Sequence, residues 1–300
     1  MNYEIGERAL GSSLQLTITK GDFEQALVAY NGQLVALQIE EKYTLLLDNY
    51  KEFEKEMLAI GFAHLMYHEI RWSPSVAKLQ NLNRLLCNVL SSCKLYLDQV
   101  RHDFSGLFGN ASPEFDALKV STNDQCDHRL GYRVGEALRN FAQHAGLPID
   151  ELRLELSKEQ TSGVRKYGVT PLMNMERVRA TGGFKKSVMS ELSALNQKVD
   201  LKPHIRDYVD GLSAVHRTVR TQIASKLCAW EAALAGALEN FEKQNGTDHG
   251  AVWLCERDND GKVIRYVPIV PEVEDRRREL AAKTARLLVA GSIVTSEVWR

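Results

Sequence analysis

Between Ser73 and Phe104 the apolar residues Leu79, Leu82, Leu86, Val89, Leu90, Cys93, Leu97 and Val100 recur at steps of three and four. A strand would bury alternate residues, so only a long helix with one buried face uses this spacing. Ser73 and Pro74 give that helix a cap and a first-turn proline. Three further stretches carry the same period. One runs from Phe23 to Tyr67 through Tyr43, Leu47, Tyr50 and Met57, after an N-cap at Asp22 and with bends expected at Asn31-Gly32 and Gly61. A second begins at about Asn123 and ends near His144. The last starts at Pro203 and runs through Ile205, Val209, Leu212, Val215, Val219, Ile223 and Leu227 towards Gly246. Four long helices with short or modest connections predict a mainly α protein, a helical bundle.

Alternating segments are few. Leu14, Leu16 and Ile18 alternate with polar residues as a short strand does, and so do Leu152, Leu154 and Leu156. Ala251–Cys255 and Lys262–Val270 flank Asp258-Asn-Asp-Gly261, predicting a small C-terminal β-hairpin that can pair with the Leu14 strand. Gly106–Ser121 and Thr161–Thr170 read as loops, Asn174 caps a helix towards Leu195 that Gly182-Gly183 weakens, and Glu272–Val289 reads as helical. A boundary near Gly246–Gly250 then separates a helical bundle with an N-terminal strand (1–247), carrying a basic insertion at 151–187, from a hairpin-and-helix appendage (248–300).

Composition narrows the functional classes. Five cysteines without a CxxC pair argue against a disulfide framework or zinc knuckle and suit a reducing cytoplasm. No run of 18 apolar residues occurs and the N-terminus lacks a signal-peptide pattern, so a cytoplasmic protein without membrane contact is expected. His64 and His68 stand one turn apart, but no third ligand follows, and no metal is expected. Walker, GxGxxG, GxSxG and EF-hand patterns are absent, so no cofactor is expected. The net charge of −1 attracts no polyanion globally. Binding to nucleic acid requires a local patch. Between Thr161 and Ser187 six basic residues (Arg165, Lys166, Arg177, Arg179, Lys185, Lys186) face one acid, Glu176, and supply it.

Chemistry concentrates in Leu130–Ile149. Leu130, Val134, Leu138, Phe141 and Ala145 form its apolar stripe. The other side carries Arg133, Glu136, Arg139, Asn140, Gln143 and His144. Glu136, Asn140 and His144 share one row at i, i+4 and i+8, with Arg139 and Gln143 in a second row beside it. Gly146 and Pro148 stop the helix, placing His144 in a last turn whose unpaired carbonyls favour cations. Arg139 and His144 are five positions apart, about 140° around the helix.

The run Leu138-Arg139-Asn140-Phe141-Ala142-Gln143-His144 resembles the Arg-polar-x3-His signature of HEPN domains, helical bundles many of which cut RNA without a metal. The resemblance implies a HEPN-like four-helix bundle over roughly Gly21–Lys243 and a homodimer whose motif helices face each other. His144 would be the base that takes the proton of the RNA 2′-hydroxyl. Arg139 would hold the phosphate and Asn140 would orient either group, with Glu136 bracing Arg139 or Asn140. The products would be a 2′,3′-cyclic phosphate and a 5′-hydroxyl. The resemblance also implies a toxin or antiviral-defence setting with an antitoxin or defence-system partner. Gly146 stands where toxins silenced by modification carry a tyrosine two residues after the histidine, so that modification is excluded here. Two other readings of the same helix are RNA or nucleotide binding without cleavage and a helical adaptor with no chemistry.

Overall fold

The computed structural model describes residues 1–7, 14–67, 72–158 and 165–285, and the helical backbone alone at 72–74. In chain order the elements begin with strands β1 (Asn2–Glu7) and β2 (Gln15–Ile18), then helices α1 (Lys20–Tyr67), α2 (Trp72–Phe108), α3 (Pro113–His128) and α4 (Leu130–His144). There follow β3 (Glu151–Lys158), β4 (Arg165–Asn174), α5 (Met175–Thr181), α6 (Lys186–Leu195), β5 (Lys198–Asp200), α7 (Lys202–Asn245), β6 (Val252–Arg257), β7 (Val263–Ile269) and α8 (Glu272–Thr284). The protein is mainly helical with two small antiparallel sheets. Among the described residues no helix is long and apolar enough to cross a membrane.

Several expected boundaries move, each for a local reason. The first helix is capped by Thr19: its hydroxyl accepts from the Asp22 N–H at 3.1 Å, and the Asp22 carboxylate accepts from the Thr19 hydroxyl at 2.7 Å and amide at 3.2 Å. This reciprocal pair starts α1 a turn before the expected cap. Neither Asn31-Gly32 nor Gly61 interrupts it. A Cβ at Gly32 would lie 2.5 Å from the Trp230 ring, so this glycine permits close packing rather than a bend. The expected loop from Gly106 to Ser121 is instead mostly helix, because the Ser112 hydroxyl accepts from the Phe115 amide at 3.1 Å and Pro113 fills the first turn. The motif helix starts at Leu130 rather than Asn123, since Arg129 is extended and ends α3. The expected loop at Thr161–Thr170 is strand from Arg165 onward, while 159–164 lie outside the described residues. The helix expected from Asn174 to Leu195 is two helices, with Gly182 and Gly183 at φ 75° and 102° in the break.

The chain divides into two compact units, each built from separated stretches. One combines Met1–Glu41, Asp103–Gly109 and Val219–Ala285; the other combines Lys42–His102 with Asn110–Thr218. The Gly246–Gly250 break coincides with the end of α7. In the first unit the sheet order is β2-β1-β6-β7. The C-terminal hairpin therefore pairs with β1, Ile5 opposite Leu254, and not with the Leu14 strand, which pairs with the far edge of β1. Arg220 donates twice to the buried Glu40, at 2.8 and 2.6 Å, and Lys226 donates to the Leu107 carbonyl at 2.7 Å. The helix expected over Glu272–Val289 is described to Thr284.

In the second unit the buried stripe of α2 (Leu82, Leu86, Val89, Leu90, Cys93, Val100) is at most 1% exposed, as its spacing requires. Its core also holds a polar knot. His216 stacks on Tyr43 at 3.7 Å and shares a 2.8 Å hydrogen bond with the Tyr96 hydroxyl, while Tyr43 donates to Ser213 at 2.9 Å. Fully buried polar groups persist only when partnered, and these partners fix the order of α1, α2 and α7 within this unit. Its sheet runs β3-β4-β5, Leu172 of the central strand lying opposite Glu151 and Asp200.

Candidate functional site

The motif helix is positioned by glycine. A Cβ at Gly135 would lie 2.2 Å from the Tyr208 ring, and one at Gly131 would lie 2.5 to 2.6 Å from Asp207 and the His204 carbonyl. Only glycine lets α4 approach α7 this closely. The contact is sealed by polar bonds. Asp207 accepts from the Gly131 amide at 2.9 Å, Arg129 pairs with Asp207 and Asp210 at 2.7 and 2.8 Å, and the Tyr208 hydroxyl donates to Glu136 at 2.6 Å. Burial pushes the Tyr208 hydroxyl well above the usual tyrosine value, so it remains a donor.

Arg139 continues the row of Gly131 and Gly135 at i+8, which explains its partial burial. Its Nη1 donates to the Asn140 side-chain oxygen at 3.1 Å, and its Nε is buried without a hydrogen-bond partner. Asn140, Gln143 and His144 are exposed. Among the described residues no hydrogen bond or ion pair joins His144 to Arg139. The helix ends as its glycine requires: the Ala145 and Gly146 amides both donate to the Phe141 carbonyl, at 2.8 and 3.1 Å, with Gly146 at φ 147°.

Glu136 is turned to Tyr208 rather than to Arg139 or Asn140, so it anchors α4 from the side. Arg133, on the polar side of the helix, is also structural. It donates to the Cys126 and Asp127 carbonyls at 2.8 and 3.0 Å, closing the end of α3, and pairs with Glu191 of α6 at 2.6 Å.

The basic residues divide by role. Arg177 pairs with Asp150 at 2.5 Å, donates to the Leu147 carbonyl at 2.6 Å and lies 4.9 Å over the Phe141 ring, clamping the link that follows α4. Asn83 holds the same link, exchanging 2.9 Å hydrogen bonds in both directions with the Ile149 backbone. Arg179 donates to Ser193 at 2.8 Å. Arg165 and Lys166 extend along β4, and Lys185 and Lys186 begin α6. Structural residues missed in the sequence include Gly131, Gly135, Asp207, Tyr208 and Asn83. Of these only the small-xxx-small spacing of Gly131 and Gly135 carried a readable signal.

His64 packs edge-on against Tyr167 at 5.6 Å between ring centres, and His68 lies outside the described residues. Among the described residues no group of three or more histidine, cysteine or acidic side chains could hold a metal ion. No family model, curated protein or solved structure matches this chain.

Proposed function

We propose that the exposed end of α4 is the RNA-cleaving site of a HEPN-type, metal-independent endonuclease. The observation that carries this reading is the state of Arg139. Its neighbours Arg129, Arg133 and Arg177 are each neutralised by a carboxylate. Among the described residues Arg139 meets no acid, and its hydrogen bond there is to the neutral Asn140, one turn before the exposed His144. A guanidinium held in place with donors unspent is suited to a phosphate.

In this reading the 2′-hydroxyl of RNA is the nucleophile, so the protein supplies only a proton acceptor and a cation. His144 removes the 2′-hydroxyl proton as the oxygen attacks phosphorus, the P–O5′ bond breaks, and the departing 5′-oxygen takes a proton from water to leave as the 5′-hydroxyl. Arg139 stabilises the negative charge gathering on the phosphoryl oxygens. Asn140 fixes the guanidinium through the 3.1 Å bond already formed. A second copy facing α4 across a two-fold axis would place two such sets around one phosphodiester, which also makes up for the missing link between Arg139 and His144 in a single chain. The setting in this reading is a toxin or defence system with a controlling partner. Gly146 at φ 147° is a poor site for the tyrosine such control uses in other systems.

The test is cleavage of single-stranded RNA in EDTA by the wild type, Arg139→Ala and His144→Ala. Activity in the wild type and its loss in both variants supports the roles; cleavage retained by both variants removes them. A second reading, RNA binding without cleavage, is favoured because among the described residues no hydrogen bond or ion pair joins Arg139 to His144. It predicts that the same RNA is bound but never cut.

A further inference from the structure

Beside the tip of α4, the α5–α6 turn forms an open cleft of about 360 Å³ lined by Arg179, Phe184, Lys186, Met189, Ser190 and Ser193. Its floor is tied to the motif helix. Phe184 meets Phe141 edge-on at 5.9 Å, and a Cβ at Gly183 would be 3.5 Å from the same ring. The acids nearby are already engaged: Glu191 pairs with Arg133, Glu176 accepts from Gln197, and Asp150 pairs with Arg177. Among the described residues the Lys186 ammonium has no ion-pair partner, and no side chain caps the first amides of α6. The cleft thus combines one half-exposed aromatic ring, two cations, two hydroxyls and a thioether.

Such a lining suits neither a metal, for want of acids, nor a purely apolar ligand, because of its cations. It suits a flat aromatic base carried on a phosphate. We propose that this cleft is a nucleotide subsite: Phe184 and Met189 receive one base of single-stranded RNA, Ser190 reaches its polar edge, and Arg179 and Lys186 hold the adjoining phosphate. The inference rests on the nuclease reading for its substrate class and adds where the strand lies next to the cut. A strand anchored here would present a neighbouring phosphodiester to Arg139 and His144.

The test uses the full chain and a short 2′-O-methyl oligoadenylate, which lacks the nucleophilic hydroxyl and so reports binding alone, by fluorescence anisotropy at low salt. Phe184→Ala and Lys186→Glu are each expected to weaken binding about tenfold, the scale of one lost stacking or phosphate contact. Lys119→Glu, the same charge change outside the cleft, is expected to leave it unchanged. Circular dichroism checks the fold, and Lys186 is exposed enough that its variant keeps the helix even where the Phe184 variant does not. Absent binding, unchanged affinity in Lys186→Glu, or an equal loss in Lys119→Glu would overturn the proposal. Cleavage of unmodified RNA separates the two readings. Binding through the cleft without any cutting removes the nuclease and leaves the subsite, while cutting with an unaltered KM in both cleft variants removes the subsite and leaves the nuclease.

Discussion

The Tyr208 hydroxyl donates a 2.6 Å hydrogen bond to the Glu136 carboxylate, joining the middle of α4 to α7 from a fully buried ring. Removing the donor leaves a half-buried carboxylate short of a partner, which costs roughly 1–3 kcal/mol. Tyr208→Phe is therefore expected to lower the unfolding free energy obtained from urea melts by that amount, with the midpoint falling and the slope unchanged. The RNA binding proposed for the α4 tip is expected to be the same in this variant under native conditions, because Glu136 bonds to Tyr208 and not to Arg139 or Asn140. A Glu136→Gln variant, able to accept the same bond, is expected to lose less stability than Tyr208→Phe.

Gly135 inverts the usual helix preference. In an exposed helix interior Gly→Ala gains about 1 kcal/mol. Here the new methyl would sit 2.2 Å from the Tyr208 ring, and neither backbone can yield without separating α4 from α7. Overpacking of this kind costs about 1–3 kcal/mol or more and outweighs the propensity gain. Gly135→Ala is expected to be clearly destabilised in thermal and chemical melts, and Gly236→Ala, with open space around its Cβ, to be neutral or better.

His204 predicts an acid response for its unit. Burial holds its pKa below the usual histidine value, with Asp200 and Asp207 opposing only in part. The unfolded histidine takes up its proton near 6.5 and the folded one only at lower pH, so the unfolded state binds more protons in between. The contribution is complete above about pH 6.5 and is lost as pH falls through the folded pKa. In urea melts at about pH 7.5 and about pH 5.5, the wild type is expected to lose more stability on acidification than His204→Gln. His249, raised chiefly by the Gly250 carbonyl, works with the opposite sign in the other unit and is common to both proteins.

The helices were legible where one buried face dominates. The stripe of α2 and the register of α7 from Ile205 to Ile223 are buried as their spacing requires. The misreadings arose where short-range chemistry decides. Gly106, Gly109, Asn110 and Pro113 together looked like a loop, but only the span between Phe108 and Pro113 leaves the helix, because Ser112 caps the next one. Arg165–Asn174 lacks alternation and becomes a strand through pairing with the preceding β3 and with β5 farther along the chain, partners that its own local pattern does not record. At the site, the row of Glu136, Asn140 and His144 followed from helix geometry. That Glu136 turns inward depends on Tyr208, 72 residues later, and no local spacing announces it.

The most direct measurement of the central claim is mass spectrometry of the ends made from a defined single-stranded RNA in EDTA. The account predicts fragments ending in a 2′,3′-cyclic phosphate with 5′-hydroxyl partners from the wild type, and none from His144→Ala. Intact RNA with the wild type, fragments bearing 5′-phosphates, or the same cyclic ends from His144→Ala would contradict it.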